Sequence, residues 1–250
     1  MRFEKVSNKD IGGEYLNNFE IASISNDSGG YISKNQCLFN SINLNPLNKF
    51  ILKESVKGTN IFKLGNSGEK LLLISGVHGN ELASQGASLL IFKYLLNLDL
   101  DKTVYLVPFL APYATMCNTR RFDSKDLNRS SHIEGTLSNK IIKIIKDLKI
   151  SKVADFHTTG PNSNPGVESI FCSKEPSLKS FKIAEHINKE IGSKIIENEK
   201  AGFPFKGAIE DESNLIGVPA ITCEVLSPFG SIKEGSIGKS FLQMKSFLSF

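Results

Sequence analysis

The segment KLLLISGVHGNELASQGASLLIFKYLLNLDLDKTVYLVPFL, residues 70–110, contains the pattern that decides the fold. After Lys70 it opens with an uninterrupted apolar run, which indicates a buried strand over 70–77. Apolar side chains then recur at helical spacing over 80–98, and residues 103–110 return to a strand pattern. Strand, helix and strand in this order predict a parallel crossover, because parallel strands need a long connection between them.

The rest of the chain continues this alternation. Helices are expected at 136–149, 177–191 and 236–249, and strands at 152–157 and 219–225. Residues 1–69 are rich in Asn, Ser and Gly, and the short alternating runs FEIASIS and NIFKLG predict small strands and turns that could form an antiparallel edge. We therefore expect residues 1–250 to form a single α/β domain, a mixed, largely parallel sheet flanked by helices on both faces.

Composition and charge argue against two classes of partner. The net charge of +4 comes from scattered lysines rather than a basic patch, so we expect no nucleic-acid partner. No apolar stretch approaches the ~20 residues of a membrane span, so we expect no membrane partner either. The polar start MRFEKVSNKD and four cysteines without a CxxC pair are typical of a cytoplasmic protein with reduced thiols.

Four residues with metal-binding or acid–base chemistry lie in or directly after predicted strands. His78 and Glu81 follow the first long strand, His157 ends KVADFH, and Glu224 lies within PAITCEV. Two His and one Glu are a ligand set that zinc uses in catalytic sites, and a further carboxylate could act as general base. Each motif taken alone also fits a structural role, and the sequence leaves the direction of the Glu224 strand open.

Three of the four arginines lie within ten residues, at positions 120, 121 and 129. The chain otherwise uses Lys for positive charge, whereas Arg offers a planar fork that suits a carboxylate or a developing oxyanion. From the pattern alone, chance clustering and a functional role carry equal weight.

Four blocks of the sequence resemble the aspartoacylase and succinylglutamate desuccinylase family, a deacylase branch of the zinc carboxypeptidase superfamily. They are GVHGNE (76–81), RFDSKDLNR (121–129), DFHTTG (155–160) and CEVLSPFG (223–230). The blocks occur in that family's order and extend over residues 70–230. The resemblance implies a zinc carboxypeptidase-like fold and a deacylase activity.

The resemblance implies one zinc ion per chain. His78, Glu81 and His157 would hold it, and Glu224 would act as general base and later as proton donor to the leaving amine. Asp155 lies two residues before His157 on the same strand face, where it could support this ligand or serve as a structural carboxylate.

The resemblance also implies substrate-binding roles in the block 121–129. Arg121 would polarise the scissile carbonyl and stabilise the oxyanion, and Asn128 and Arg129 would bind a substrate carboxylate. Strand-like alternation would turn Arg120 away from the site. Asp126 is expected to position the loop or to support a ligand.

Two features depart from the family pattern. The deacylases usually add a C-terminal β-rich domain, and only 26 residues follow Glu224, so we expect that domain to be absent. The segment AGFPFKG (201–207) contains Phe203, Phe205 and Lys206, and one hypothesis is that this loop borders the pocket and that Lys206 binds a second anionic group of the substrate. An exposed, solvated Lys206 is the competing interpretation.

These observations predict a zinc-dependent hydrolase that cleaves an amide bond next to a free carboxylate. Its partner would be a small N-acyl amino acid, a related carboxylate-bearing amide or a short peptide. A metallocarboxypeptidase acting on a peptide or a cell-wall-type peptide is the alternative, and a non-catalytic metal-binding module is the alternative of another class. The sequence does not indicate the oligomeric state.

Overall fold

Nine strands form one sheet in the part of the chain that the computed structural model describes, residues 1–13, 15–203 and 206–250. The strands are β1 (Glu4–Val6), β2 (Phe19–Ser25), β3 (Thr59–Leu64), β4 (Lys70–Ser75), β5 (Thr103–Val107), β6 (Lys152–Thr159), β7 (Ser169–Glu175), β8 (Lys194–Lys200) and β9 (Ala220–Leu226). Their order across the sheet is β1-β2-β3-β5-β4-β6-β9-β7-β8.

The centre of the sheet is parallel and both sides add antiparallel pairs. Strands β5, β4, β6 and β9 run parallel to one another. Strands β1, β2 and β3 form the antiparallel edge, and β3 is antiparallel to β5. On the other side, β7 is antiparallel to β9, and β8 is parallel to β7. The carboxyl ends of the four central strands therefore meet at one edge, where α/β folds place their ligands.

Helices cover both faces of the sheet. They are α1 (Asn8–Ile11), α2 (Gln36–Phe39), α3 (Pro46–Lys57), α4 (Leu82–Leu96), α5 (Pro112–Met116), α6 (Leu137–Leu148), α7 (Lys179–Ile191), α8 (Ile209–Leu215) and α9 (Ser236–Ser249). Helices α3, α4, α7 and α9 contribute to one apolar core, and α5, α6 and α8 contribute to the other.

Strand β4 explains why the sequence reads as a continuous apolar run. Leu71 and Leu73 lie in the core that contains α4, whereas Leu72 and Ile74 lie in the core that contains α6. Successive side chains of a strand point to opposite faces, so a central strand that is covered on both sides needs apolar residues at every position. The predicted α/β architecture is confirmed.

The first 69 residues contain more helix than the sequence indicated. FEIASIS and NIFKLG form β2 and β3 of the antiparallel edge, as expected. The interpretation as strands and turns alone is wrong, because α3 occupies 46–57. The side chain of Asn45 caps this helix, Pro46 begins it, and Leu47 and Ile51, one turn apart, are buried. The second half of the helix, LKESVK, is mostly polar, so the apolar periodicity does not continue through it.

Strands β7 and β8 were not expected. They extend the sheet beyond β9 and provide a wall beside the residues described below. Within the described residues, no helix combines the length and apolar character that crossing a bilayer requires.

Candidate active site

The carboxyl ends of β4 and β6 bring His78, Glu81 and His157 together. His78 Nδ1 lies 2.7 Å from Glu81 Oε1, and His157 Nδ1 lies 2.8 Å from Glu81 Oε2. All three side chains are buried, and one potential ligand atom from each lies within 4.8 Å of the others. A Cβ at Gly79 would overlap the backbone of Ala114, which explains a glycine directly after His78.

A second carboxylate holds the outer nitrogen of each imidazole. His78 Nε2 lies 2.9 Å from Asp126 Oδ1, and His157 Nε2 lies 2.8 Å from Asp155 Oδ2. Such carboxylate–histidine pairs fix the tautomer and orientation of histidines that bind metals. The structure thus places Asp126 and Asp155 behind the two histidines, in the supporting position that the sequence left open for Asp155.

The electrostatics of the cluster suit a divalent cation. Burial raises the pKa of Glu81, but the imidazoles of His78 and His157 outweigh burial and lower it. Burial lowers the pKa of His157, but the negative charges of Asp155 and Glu81 outweigh burial and raise this pKa well above its usual value. Because buried carboxylates surround the histidines, the cluster favours positive charge, and two imidazoles with one carboxylate are a donor set that accepts zinc.

Glu224 lies beside this cluster because β9 runs parallel to β6. His157 and Glu224 are register partners, which fixes the strand direction that the sequence left undetermined. Glu224 Oε2 is buried and has no hydrogen-bond partner among the described residues. Burial and the negative charge of Glu81 raise the pKa of Glu224 to about 8. A cation bound by the cluster would lower this pKa again.

The structure places Arg120, and not Arg121, at the site. Arg120 Nε donates to Asp126 Oδ2 over 3.1 Å, and Nη1 donates to Glu81 Oε1 over 3.2 Å. Arg121 is exposed and does not line the cavity. The expected orientation of the two arginines is wrong because this segment is a turn and not a strand: Asp123 and Ser124 have positive φ.

Asn128 and Arg129 lie where the resemblance placed them, along the wall of the cavity. Asp126 Oδ1 accepts a hydrogen bond from the Asn128 backbone N–H over 3.0 Å and so orders the short turn that presents both side chains. Arg129 Nη1 donates to the Asn128 carbonyl over 2.6 Å. Asn128 Oδ1 is buried without a hydrogen-bond partner among the described residues.

A cavity of about 490 Å³ connects these side chains to the wall formed by β7 and β8. His78, Glu81 and Glu224 lie on its surface, and so do Glu210 and Asp211 at the start of α8. The sequence analysis did not identify these last two acids. In the sequence, both acids belong to the run IEDE (209–212), where the helical pattern is weak. Nothing in the sequence placed this run near the histidines.

The loop of residues 201–207 borders the cavity only in part. Phe203 lines the cavity and is 70% exposed. Lys206 is exposed and is not among the residues that line the cavity, so its position does not support contact with an anionic substrate group. Phe205 lies outside the described residues.

Comparison with known protein families matches residues 67–249 to the succinylglutamate desuccinylase/aspartoacylase catalytic domain. The chain belongs to this family. This match confirms the predicted resemblance. A search of curated protein sequences found no match.

Solved structures of family members and metallopeptidases share the fold. The succinylglutamate desuccinylase/aspartoacylase from Rhodobacter sphaeroides has a TM-score of 0.60 at 18% identity, covering 78% of this chain and 60% of that one. The murein-tripeptide amidase from Escherichia coli O157 has a TM-score of 0.55 at 15% identity, covering 77% and 88%. A metallo-carboxypeptidase from Burkholderia cenocepacia has a TM-score of 0.56 at 12% identity, covering 76% and 60%.

This chain spans about 60% of the length of the Rhodobacter protein. The zinc carboxypeptidase-like architecture is confirmed. The expected absence of a C-terminal β-rich domain stays a prediction.

Proposed function

We propose that this family member is a zinc-dependent hydrolase that cleaves an amide bond next to a free carboxylate, with N-acyl amino acids or related small amides as substrates. The observation that supports this most strongly is the arrangement of Glu224. It is a buried carboxylate with a free oxygen beside a His–Glu–His cluster, at the surface of a cavity that also holds arginines.

His78, Glu81 and His157 would hold the metal, and Asp126 and Asp155 would keep the two imidazoles oriented toward it. When bound there, zinc would supply Lewis-acid polarisation of the scissile carbonyl and would make water easier to deprotonate.

Glu224 would take a proton from the attacking water and later give it to the leaving amine. Taking the proton requires the ionised carboxylate, and a cation bound by the cluster would lower the raised pKa of Glu224 so that this form becomes available. Glu224 lines the cavity, so its carboxyl group is placed where a water or the substrate would bind.

Arg120 would stabilise the oxyanion that forms on the scissile carbonyl. Its guanidinium is held by Glu81 and Asp126, next to the proposed metal ligands, and it lines the cavity. This is the task that the resemblance assigned to Arg121, which the structure leaves at the surface. Asn128 and Arg129, on the same cavity wall, would bind the free carboxylate of the substrate.

A metallocarboxypeptidase acting on a short or cell-wall-type peptide is the second candidate. It is supported by the structural likeness to a murein-tripeptide amidase, of which this chain covers 88%. Both candidates use the same proposed catalytic residues and differ in the shape of the substrate. A non-catalytic binding module is less well supported, because the chain has both a full set of proposed metal ligands and a proposed general base.

Hydrolysis of a substrate panel by the zinc-loaded protein tests the proposal. The panel contains N-acetyl and N-succinyl amino acids and dipeptides, and release of free amine is measured. We expect acyl amino acids to be cleaved faster than dipeptides, and Glu224→Gln to lose about 10³-fold in rate while it keeps its zinc. His186→Ala, which alters a histidine outside the cavity, is the matched control. Equal rates for wild type and Glu224→Gln would refute the proposal, and faster cleavage of dipeptides would favour the second candidate.

A further inference from the structure

The floor of the cavity contains a buried carboxylate whose charge is not matched. Glu210 is 3% exposed and lines the cavity. Its Oε1 accepts hydrogen bonds from Ser173 Oγ and from Asn214 Nδ2, each over 3.2 Å. Within the described residues, Oε2 has no hydrogen-bond partner and no cation lies within ion-pair distance. A buried acid in this state needs a partner from outside the chain or must stay protonated.

The neighbouring acid does not share this situation. Asp211 Oδ1 accepts a hydrogen bond from the Gly202 N–H over 2.7 Å, and the positive charge of Arg129 acts on its carboxylate. Burial raises the pKa of both acids, and the negative charge of Asp211 adds to burial at Glu210 and raises its pKa well above the usual value. Glu210 is thus the carboxylate at the floor that a bound cation would stabilise most.

The register of β9 relates Glu210 to the proposed catalytic centre. Asn214 Nδ2, which donates to Glu210, also donates to the Ala220 carbonyl over 2.9 Å. Ala220 begins β9, and Glu224 lies four residues further along it, so the backbone at these two positions is roughly 13 Å apart. Thr222 lines the cavity between them, on the same face as Glu224.

We propose that Glu210 selects substrates whose leaving amine is a basic amino acid such as lysine, and that Oε2 accepts a hydrogen bond from the side-chain ammonium of that amino acid. The inference rests on the proposed function, because it assigns the leaving group of that reaction. It also reverses the hypothesis for Lys206, since the second charged group of the substrate is a cation bound by an acid.

The decisive comparison uses two substrates that differ only in the ammonium. We expect kcat/KM for Nα-acetyl-lysine, or its Nα-succinyl counterpart, to exceed that for the matching norleucine derivative by at least about tenfold. In Glu210→Gln this ratio should fall to within about threefold of one, because the amide removes the charge and keeps the shape. Glu212→Gln changes the next acid but one, which does not line the cavity, and should keep the wild-type ratio.

Calorimetry separates failure of this inference from failure of the proposed reaction. Free lysine and free norleucine, the two leaving groups, are titrated into wild type and Glu210→Gln, with thermal unfolding confirming that the variant folds. Lysine should bind wild type at least about tenfold more tightly than norleucine, and the preference should disappear in the variant.

Equal kcat/KM for the two substrates, or a lysine preference that survives in Glu210→Gln, would overturn the inference and leave the hydrolase intact. Absence of hydrolysis with lysine still selected in calorimetry would refute the proposed reaction and support a cation subsite at the floor.

Discussion

The two ends of the cavity contain buried carboxylates whose pKa values are shifted in opposite directions. At the end near the histidines, the imidazoles of His78 and His157 outweigh burial and lower the pKa of Glu81. At the floor, burial and Asp211 raise the pKa of Glu210. Burial alone therefore does not decide the charge of an acid in this cavity. The difference lies in whether a cationic group of the chain faces it.

Glu224 belongs to neither group. It lies next to the histidines in space, yet burial and the charge of Glu81 dominate and raise its pKa to about 8. The comparison shows three environments. One end is arranged around proposed ligands for a cation, the middle holds a carboxyl group that can exchange a proton, and Glu210 at the floor forms no ion pair among the described residues.

The largest expected effect follows from removing a ligand at the histidine end. His157→Ala should lose bound zinc and about 10⁴-fold or more in rate, because the Lewis-acid contribution of several kcal/mol disappears with the metal. Elemental analysis beside an amide hydrolysis assay measures both quantities, with His186→Ala as control. A variant that keeps a full equivalent of zinc would show that the metal binds elsewhere.

The two adjacent arginines provide a sharper test of the same end. Arg120→Ala should lose about 10²–10³-fold in kcat, the usual effect of removing an oxyanion donor. Arg121→Ala, at the surface, should stay within about threefold of wild type. Steady-state kinetics of the two variants measures this difference. A greater loss in Arg121→Ala would contradict the placement in the structure.

The raised pKa of Glu224 predicts that Glu224→Gln stabilises the metal-depleted protein and that this gain depends on pH. A carboxyl group whose pKa rises from 4.5 to about 8 on folding favours the folded state only while protonated, so its ionisation opposes folding as pH rises above 4.5. Glu224→Gln should increase the free energy of unfolding by about 3 kcal/mol at pH 7 and by about 1 kcal/mol or less at pH 5.

Urea unfolding at the two pH values measures this gain. Equal stabilisation at both would mean that Gln acts through packing and that the carboxyl group titrates normally.

The smallest expected effect concerns the carboxylate behind a ligand. Asp155→Asn keeps the shape but weakens the hold on His157 Nε2, and zinc affinity should fall by about 10–100-fold. Competition with a chelator measures the affinity. Asp123→Asn, which alters an exposed acid in the turn after Arg121, should leave the zinc affinity unchanged.

Much of the histidine end could be predicted from the sequence. The four residues of β4 from Leu71 to Ile74 are buried and apolar, so the strand was easy to predict, and His78 and Glu81 follow its last residue within six positions. His157 and Glu224 were predicted from their positions in two further strands, and the order of the family blocks supported both. What the sequence could not provide was the direction of β9, which only pairing with β6 determines.

The orientation of the arginines and the floor of the cavity could not be predicted. Arg120 contacts Glu81 from a bend that belongs to no strand, so the strand-like alternation expected for this segment does not apply. Strand β8, KIIENEK, lies at the sheet edge with mostly exposed positions and has no clear alternation. Because β7 and β8 were not predicted, the cavity wall that they form was not predicted either, and Glu210 had no predicted neighbours.

The central claim is that His78, Glu81 and His157 form the metal site, and anomalous diffraction at the zinc edge tests it most directly. Crystals of the protein grown with one equivalent of zinc should give one strong peak, roughly 2.0–2.2 Å from a nitrogen of each histidine and an oxygen of Glu81. A peak at Glu210 and Asp211, or no peak between the two histidines, would contradict the account.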